Sequence, residues 1–388
     1  MTLKISAQII HRKKGDYVTV RHLQLWGSNR EIGFQLGKIA RKQHSVLAVT
    51  NPNPAKNECQ KKYIQQNYPV HFERMKGFAE AFGESLVATD KDFSCFGHLN
   101  GTIACSAIFY PAEFTQTKTG ILSRNADLPL ITFQEIMGQK PSPDSKSVLS
   151  NPYIIETYPD KGYATLSTFS FELYGLALDG INSEGLVISH LHADSVNISF
   201  YKPTKGFGVG INEMLAVQFL LDNCKNAEDA KKLLLLNKHF YMFLPTHLIV
   251  ADKDGNSFIW EYSSNHNEES IISGNQKIQI ITNFPVHQFL HSKNFPASID
   301  DSCPFARFRT LEKAIKDNGK NLSLQQIKNI NSTVFIQDKM CAKPLVPPVR
   351  TVYHNLYDTA NSSMEISFYR KDEADCQLRT KYYKFQLK

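Results

Sequence analysis

The chain has no apolar run long enough to span a bilayer, no pair of cysteines spaced C-x-x-C, and no dense block of one charge. Each absence closes off a class of protein. Without a run of about 20 apolar residues there is no spanning helix. The cysteines, Cys59, Cys95, Cys105, Cys224, Cys303, Cys341 and Cys376, are odd in number and widely spaced. That excludes a disulfide framework or zinc ribbon and predicts free thiols in a reducing compartment. The opening MTLKISAQIIHRKK carries neither a long apolar stretch nor a small-residue cleavage site, so a cytoplasmic location is expected; a leader removed ahead of residue 1 would leave no trace. The net charge of +7 is dispersed, and its tightest cluster, Arg12-Lys13-Lys14 before Gly15-Asp16, reads as a solvated turn between two strands. No nucleic-acid-binding motif accompanies it, so no nucleic-acid partner is predicted. His190 and His192 share one face of a strand but have no third metal ligand. Gly206-x-Gly208-x-Gly210 lacks the strand–turn–helix setting of a dinucleotide loop. Neither a metal nor an organic cofactor is predicted.

What is present is an ordinary globular composition, 42% hydrophobic and 21% charged, in 388 residues, enough to bury a large core without covalent staples. Residues 17–25 (YVTVRHLQL) alternate as a strand does, and a helical run follows to about Ser45. Asn51-Pro-Asn-Pro54 breaks the chain. From Ala55 to about Phe82 apolar residues recur at helical spacing, giving one long helix or two. At Ala104 the texture changes to short apolar runs separated by turns, at 105–110, 120–124, 153–158, 165–171, 185–192, 247–252, 257–262 and 279–282. Helical patches lie at 213–223, 227–236, 304–317 and 323–330, the last opening on a Ser323-x-x-Gln326 capping box. Strands return at 351–357 and 364–369. This order suggests layered sheets with helices outside them.

One constellation carries chemistry. Cys105 opens a strand, and a polar loop leads to a second strand bearing Arg124 and Asp127. A hairpin of these two would gather a thiol, a cation and a carboxylate at one end. A nearby guanidinium stabilises a thiolate, which is the nucleophilic form. Were Cys105 the first residue of its chain, its α-amine (pKa roughly 7.7–8.0) could exchange a proton with a thiol near ~8.5 at little cost, and Asp127 could orient that amine. The competing reading of a strand cysteine is a small buried hydrophobe. That is the reading given to the other six.

Five segments, in order along nearly the whole chain, resemble the choloylglycine hydrolase superfamily of N-terminal-nucleophile enzymes, which includes penicillin V acylase, bile salt hydrolase and the isopenicillin-N acyltransferase type. They are Leu25-x-Gly27-Ser28-x-x-Glu31-Ile-Gly33-x-x-x-Gly37; Cys105 with Gly120-x-x-x-Arg124-Asn125-x-Asp127; Asp179-Gly-Ile-Asn182-x-Glu184-Gly185-Leu186; Ile281-Thr282-Asn283-x-Pro285; and Ala306-Arg307-Phe308-x-x-Leu311. The resemblance implies an α+β fold, a four-layer αββα sandwich with two packed antiparallel sheets and helices outside. It also implies a pro-region or small subunit at 1–104, a catalytic domain at 105–388, and self-cleavage between Ala104 and Cys105. Carried over by position, Cys105 is the nucleophile, Arg124 sits by the thiol, Asp127 holds the α-amine, Asn283 donates to the oxyanion, and Arg307 is a supporting arginine. His192 falls where the family builds the other half of the oxyanion hole, with a histidine in place of Asn or Tyr. The implied reaction is cleavage of a linear amide in a small-molecule N-acyl substrate through a thioester. An acyl-CoA-dependent N-acyltransferase and a non-catalytic binding module are the alternatives, and a homo-oligomer is compatible with either.

Overall fold

The computed structural model describes residues 3–51, 53–94, 104–136, 138–141, 146–171, 176–193, 208–241, 245–263, 268–343, 345, 347–374 and 376–388; Cys95 and Gly206 lie outside them.

Two sheets form the middle of the molecule. The first has nine strands in the spatial order Lys4–His11, Val20–Gly27, Tyr153–Pro159, Thr165–Phe169, Ala177–Asn182, Val187–His192, Thr246–Ala251, Ser257–Ser263 and Glu268–Ser273. The second has seven: Gln279–Thr282, Ala104–Tyr110, Ile121–Pro129, Val349–Asp358, Ser363–Glu373 and Cys376–Arg379, with Tyr383–Gln386 also pairing to Ser363–Glu373. The expectation of purely antiparallel sheets needs one correction. Val20–Gly27 and Tyr153–Pro159 run parallel. The chain between them first builds helices and two strands of the other sheet, the kind of long crossover that parallel pairing requires.

The sheets pack face to face, and helices cover both outer faces. Helices Asn29–Gln43 and Glu213–Asn223 lie on the nine-stranded sheet, whereas Pro304–Asn318 and Leu324–Ser332 lie on the seven-stranded one. The fold is therefore the α+β, four-layer αββα sandwich. One large core fills the space between the sheets and beneath the first helices. A smaller one, including Ile108, Ile121, Leu311, Ile327 and Leu356, seals the second helical layer. The Ser323–Gln326 capping box forms, and a second one forms between Ser28 and Glu31.

The helical stretch 55–82 divides into Pro54–Asn67 and Pro69–Ala81 because Pro69 disfavours helical backbone at Tyr68 (φ −142°, ψ 61°). Helices Asn29–Gln43 and Pro69–Ala81 cross at van der Waals contact of their backbones. A Cβ on Gly33 would stand 2.2 Å from the Arg74 carbonyl oxygen, and one on Gly77 would stand 2.0 Å from that of Arg30. Beneath this crossing lies a buried ion pair. Arg74 reaches both oxygens of Asp222 (2.6 and 3.1 Å), and Tyr68 and Gln218 also donate to that carboxylate (2.5 and 2.8 Å).

Strand Ala177–Asn182 escapes the sequence reading because Asp179 and Gly180 interrupt its apolar run, although every residue of it is buried. The assignment of the non-nucleophilic cysteines to the interior is corrected. Cys224 is buried, but Cys303 and Cys341 are partly exposed and Cys59 and Cys376 are exposed. Cys59 occupies the solvent side of a helix that buries Asn57, Gln60, Lys61 and Ile64, and Cys376 starts a short strand at the sheet edge. No described helix is long and apolar enough to cross a membrane. Among the described residues no group of three or more His, Cys, Asp or Glu could hold a metal ion.

Candidate active site

Register brings the site together. Strand Ala104–Tyr110 lies between Gln279–Thr282 and Ile121–Pro129. Thr282 pairs with Ser106, which sets Asn283 beside Cys105. On the other side Ala104 pairs with Asp127, Cys105 with Ala126, and Ala107 with Arg124. Because side chains alternate across a strand, Cys105 and Arg124 share the face toward the nine-stranded sheet. Asp127 lies on the opposite face, toward the helices. The single cluster expected from sequence is thus split across the sheet.

On the inner side Arg124 Nη2 stands 3.5 Å from Cys105 Sγ and donates to the His190 carbonyl at 3.1 Å. Its Nη1 donates to Asp179 and to the Tyr353 hydroxyl. Asp179 is fully buried and also accepts from Tyr353 (2.6 Å), Asn355 (2.8 Å) and Tyr357 (2.5 Å). On the outer side Arg307, 1% exposed, forms an ion pair with Asp127 at 3.6 Å. It also donates to the Cys105 carbonyl and to Asn283 Oδ1, each at 2.7 Å. Thr351 donates to Asp127 Oδ1 at 2.5 Å. The thiol therefore sits between two buried arginines, each balanced by its own carboxylate.

Burial runs against the expectation of a depressed thiol pKa. Burial pushes the Cys105 thiol up, and Arg124 and the backbone N–H of Asp127 offset this only in part. A guanidinium already paired with Asp179 has less field to offer its neighbour. Asp127 is likewise raised, to about 6, by burial, with Arg307 and the Thr351 hydroxyl pulling the other way.

The nitrogen of Cys105 donates to Asn283 Oδ1 at 2.6 Å. The group that holds this nitrogen in the uncut chain is therefore Asn283; the role expected of Asp127 concerns the free α-amine of a cut chain. Asn283 Nδ2 donates to the His192 carbonyl at 2.7 Å. His192 meets Asn283 through an acceptor, whereas an oxyanion hole needs a donor. By alternation its ring lies on the strand face opposite Ser189, the cross-strand partner of Asp179. His192 is thus adjacent to the site through its carbonyl, in keeping with a histidine that departs from the family's Asn or Tyr.

Sequence reasoning passed over Asp179, Thr351 and Tyr353. Asp179 stood in a quoted motif, and the structure gives that motif its physical content. Asp179 neutralises Arg124. Asn182 closes the turn by accepting from Glu184 and Leu186 N–H, both at 3.1 Å, and donates to the end of the Glu213–Asn223 helix. Gly185 takes φ +83°, with the Thr359 carbonyl oxygen 2.3 Å from where a Cβ would lie. Thr351 and Tyr353 carry no local signal, since only the pairing of Val349–Asp358 with Ile121–Pro129 brings them in.

No curated protein matches the chain. Among solved structures it is similar to penicillin V acylase from Agrobacterium tumefaciens, with 16% identity over 68% of this chain and 83% of that one and a TM-score of 0.45. It is also similar to a variant of conjugated bile acid hydrolase from Clostridium perfringens, with 16% identity over 72% of this chain and 97% of that one and a TM-score of 0.46. The family model for acyl-coenzyme A:6-aminopenicillanic acid acyl-transferase matches residues 115–373. That span begins beyond Cys105 and takes in Arg124, Asp127, Asp179, His192, Asn283 and Arg307. The chain accordingly belongs to the acyl-coenzyme A:6-aminopenicillanic acid acyl-transferase family, within the N-terminal-nucleophile superfamily.

Proposed function

We propose that this protein is a self-processing cysteine N-terminal-nucleophile enzyme that cleaves a linear amide of a small N-acyl substrate through a thioester on Cys105. The observation that carries the reading is the setting of Cys105. It is a fully buried thiol at the start of a strand, its nitrogen held by Asn283 Oδ1, its carbonyl by Arg307, and its sulfur beside Arg124. Maturation begins when the thiol attacks the carbonyl carbon of residue 104. The C–N bond to Cys105 breaks, the thiol proton passes to the departing nitrogen, and a thioester with a free α-amine results. Water then hydrolyses the thioester, leaving a carboxylate on residue 104 and restoring the thiol. Residues 1–104 become a small subunit and 105–388 the catalytic one. In turnover the same sulfur attacks the substrate amide, the α-amine protonates the leaving amine, and the amine then activates water. Asn283, one residue past the strand that pairs with that of Cys105, is the side chain assigned to the oxyanion.

Family membership favours a second acceptor. The matched family is named for transfer from acyl-coenzyme A to an amine; in that reaction Cys105 would take the acyl group with loss of the coenzyme A thiol, and an amine in place of water would receive it from the thioester. Intact mass under denaturing conditions tests the core of the proposal. The wild-type protein should give two chains joining at 104/105, and Cys105→Ala one chain without activity. A wild-type protein that stays in one piece and is fully active on N-acyl amides would refute the amine-based mechanism.

A further inference from the structure

Asn283 is the last residue before a turn that a distant carboxylate grips. Glu261, on strand Ser257–Ser263 of the nine-stranded sheet, is 1% exposed. Its Oε1 accepts from His247 Nδ1 at 3.0 Å and from the Val286 N–H at 2.7 Å. Its Oε2 accepts from the His287 N–H at 2.9 Å and from His287 Nδ1 at 2.5 Å. An ionised carboxylate only accepts, so both imidazoles present Nδ1–H to it. These donors hold Glu261 ionised, its pKa lowered to about 2 despite the burial. Removing a carboxylate from water costs several kcal/mol per ion unless every lone pair finds a partner, so this arrangement is an expensive way merely to fill space.

Its placement says what it does. Val286 and His287 follow Asn283 by three and four residues, on the seven-stranded side, while Glu261 and His247 stand on the nine-stranded side. Asn283 makes its own tie across the same gap, to the His192 carbonyl. His192 sits on the strand that pairs directly with that of His247, Leu191 being opposite His247. Two bridges between the sheets thus flank one turn. If the Glu261 bridge loosens, Asn283 loses the framework that keeps Oδ1 on the Cys105 nitrogen.

We infer that Glu261, with His247 and His287, is a positioning unit that sets the amide of Asn283 against Cys105. The inference rests on the proposed function in taking Asn283 as the group that faces the reacting atoms; Glu261 acts only through it.

Glu261→Gln tests this with little change in shape. Whichever way the new amide turns, its NH2 faces two donors. Turnover is measured on an N-acyl amino acid that the wild type hydrolyses, using protein shown by intact mass to begin at Cys105. We expect kcat to fall by roughly ten- to hundredfold with KM within about twofold, short of the hundred- to thousandfold typical of deleting an oxyanion donor. In the Asn283→Ala background, adding Glu261→Gln should cost nothing further, since the two act as one unit. His287→Ala, which removes one of the four donors and leaves the carboxylate, should show the same split more weakly. Where a variant stays uncut, the same cycle is read on the rate of self-cleavage. Losses that multiply in the double variant, or a Glu261→Gln enzyme of wild-type kcat, overturn the inference. A wild-type kcat in Asn283→Ala overturns it together with the donor role of Asn283. An active Cys105→Ala, by contrast, would sink the nucleophile itself, so the two failures are told apart.

Discussion

Asp127 carries its carboxylate on the helix-facing side of the hairpin, where water cannot solvate it and Arg307 and Thr351 only partly compensate. Its folded pKa of about 6 lies above the ~3.9 of a free aspartate. The sign follows directly. The buried acid is most at home protonated, so its contribution to stability is fully present below the unfolded pKa and is lost as the pH rises through about 6. Chemistry has the opposite preference if the ionised form is the one that balances Arg307 beside the Cys105 carbonyl. The acid limb of the kcat/KM–pH profile should then titrate near pH 6, and Asp127→Asn should remove that limb and lower turnover at all pH values. A profile for Asp127→Asn that keeps both the limb and the wild-type plateau would exclude Asp127 from the mechanism. Arg124 and Arg307 show the same lesson. Each is held by a carboxylate as well as by the site, so neither lends the thiol a full positive charge.

Among the elements, the helix pair Asn29–Gln43 and Pro69–Ala81 depends most sharply on single residues. The positions of Gly33 and Gly77 are set by the opposing backbone, which has no rotamer with which to yield. Gly77→Ala places a methyl carbon where the Arg30 carbonyl oxygen already is, so the helices must separate. Overpacking of this kind costs about 1–3 kcal/mol, partly relieved by the better helix propensity of alanine. A lower urea midpoint with an unchanged slope is the expected outcome, and an unchanged midpoint would show that the crossing is slack. The same crossing explains why glycines stand four residues apart in the first motif, a spacing that places both on one side of a helix.

For the molecule as a whole, the Arg74–Asp222 pair is a fully buried ionic tie between the first hundred residues and the remainder, added to the pairing of strand Val20–Gly27 with Tyr153–Pro159. It joins helix Pro69–Ala81 to helix Glu213–Asn223, which itself packs on the strand of Asp179. Arg74→Met would leave Asp222 buried without its cation, at a cost of roughly 3–5 kcal/mol, whereas Arg74→Met with Asp222→Leu should recover much of it. Urea unfolding followed by circular dichroism checks both. If the chain is cut at 104/105, the single variant should also release its 1–104 piece at lower urea than the wild type, read by size exclusion under the same conditions.

The sequence by itself determined the layering and most of the elements, because the periods of apolar residues report which faces are buried and proline and glycine report where they end. Its motifs also singled out Arg124, Asn283 and Arg307, which the fold gathers around Cys105. Three matters only the tertiary structure decided. Pairing register put Asp127 on the opposite face from Cys105 and Arg124, and register is set by contacts between strands rather than within one. Burial raised the thiol that a neighbouring arginine was expected to lower, since desolvation depends on everything packed around a group. And Asn283, two residues before a proline, became the partner of the Cys105 nitrogen through an approach of segments 178 residues apart along the chain, a distance over which no local pattern carries information.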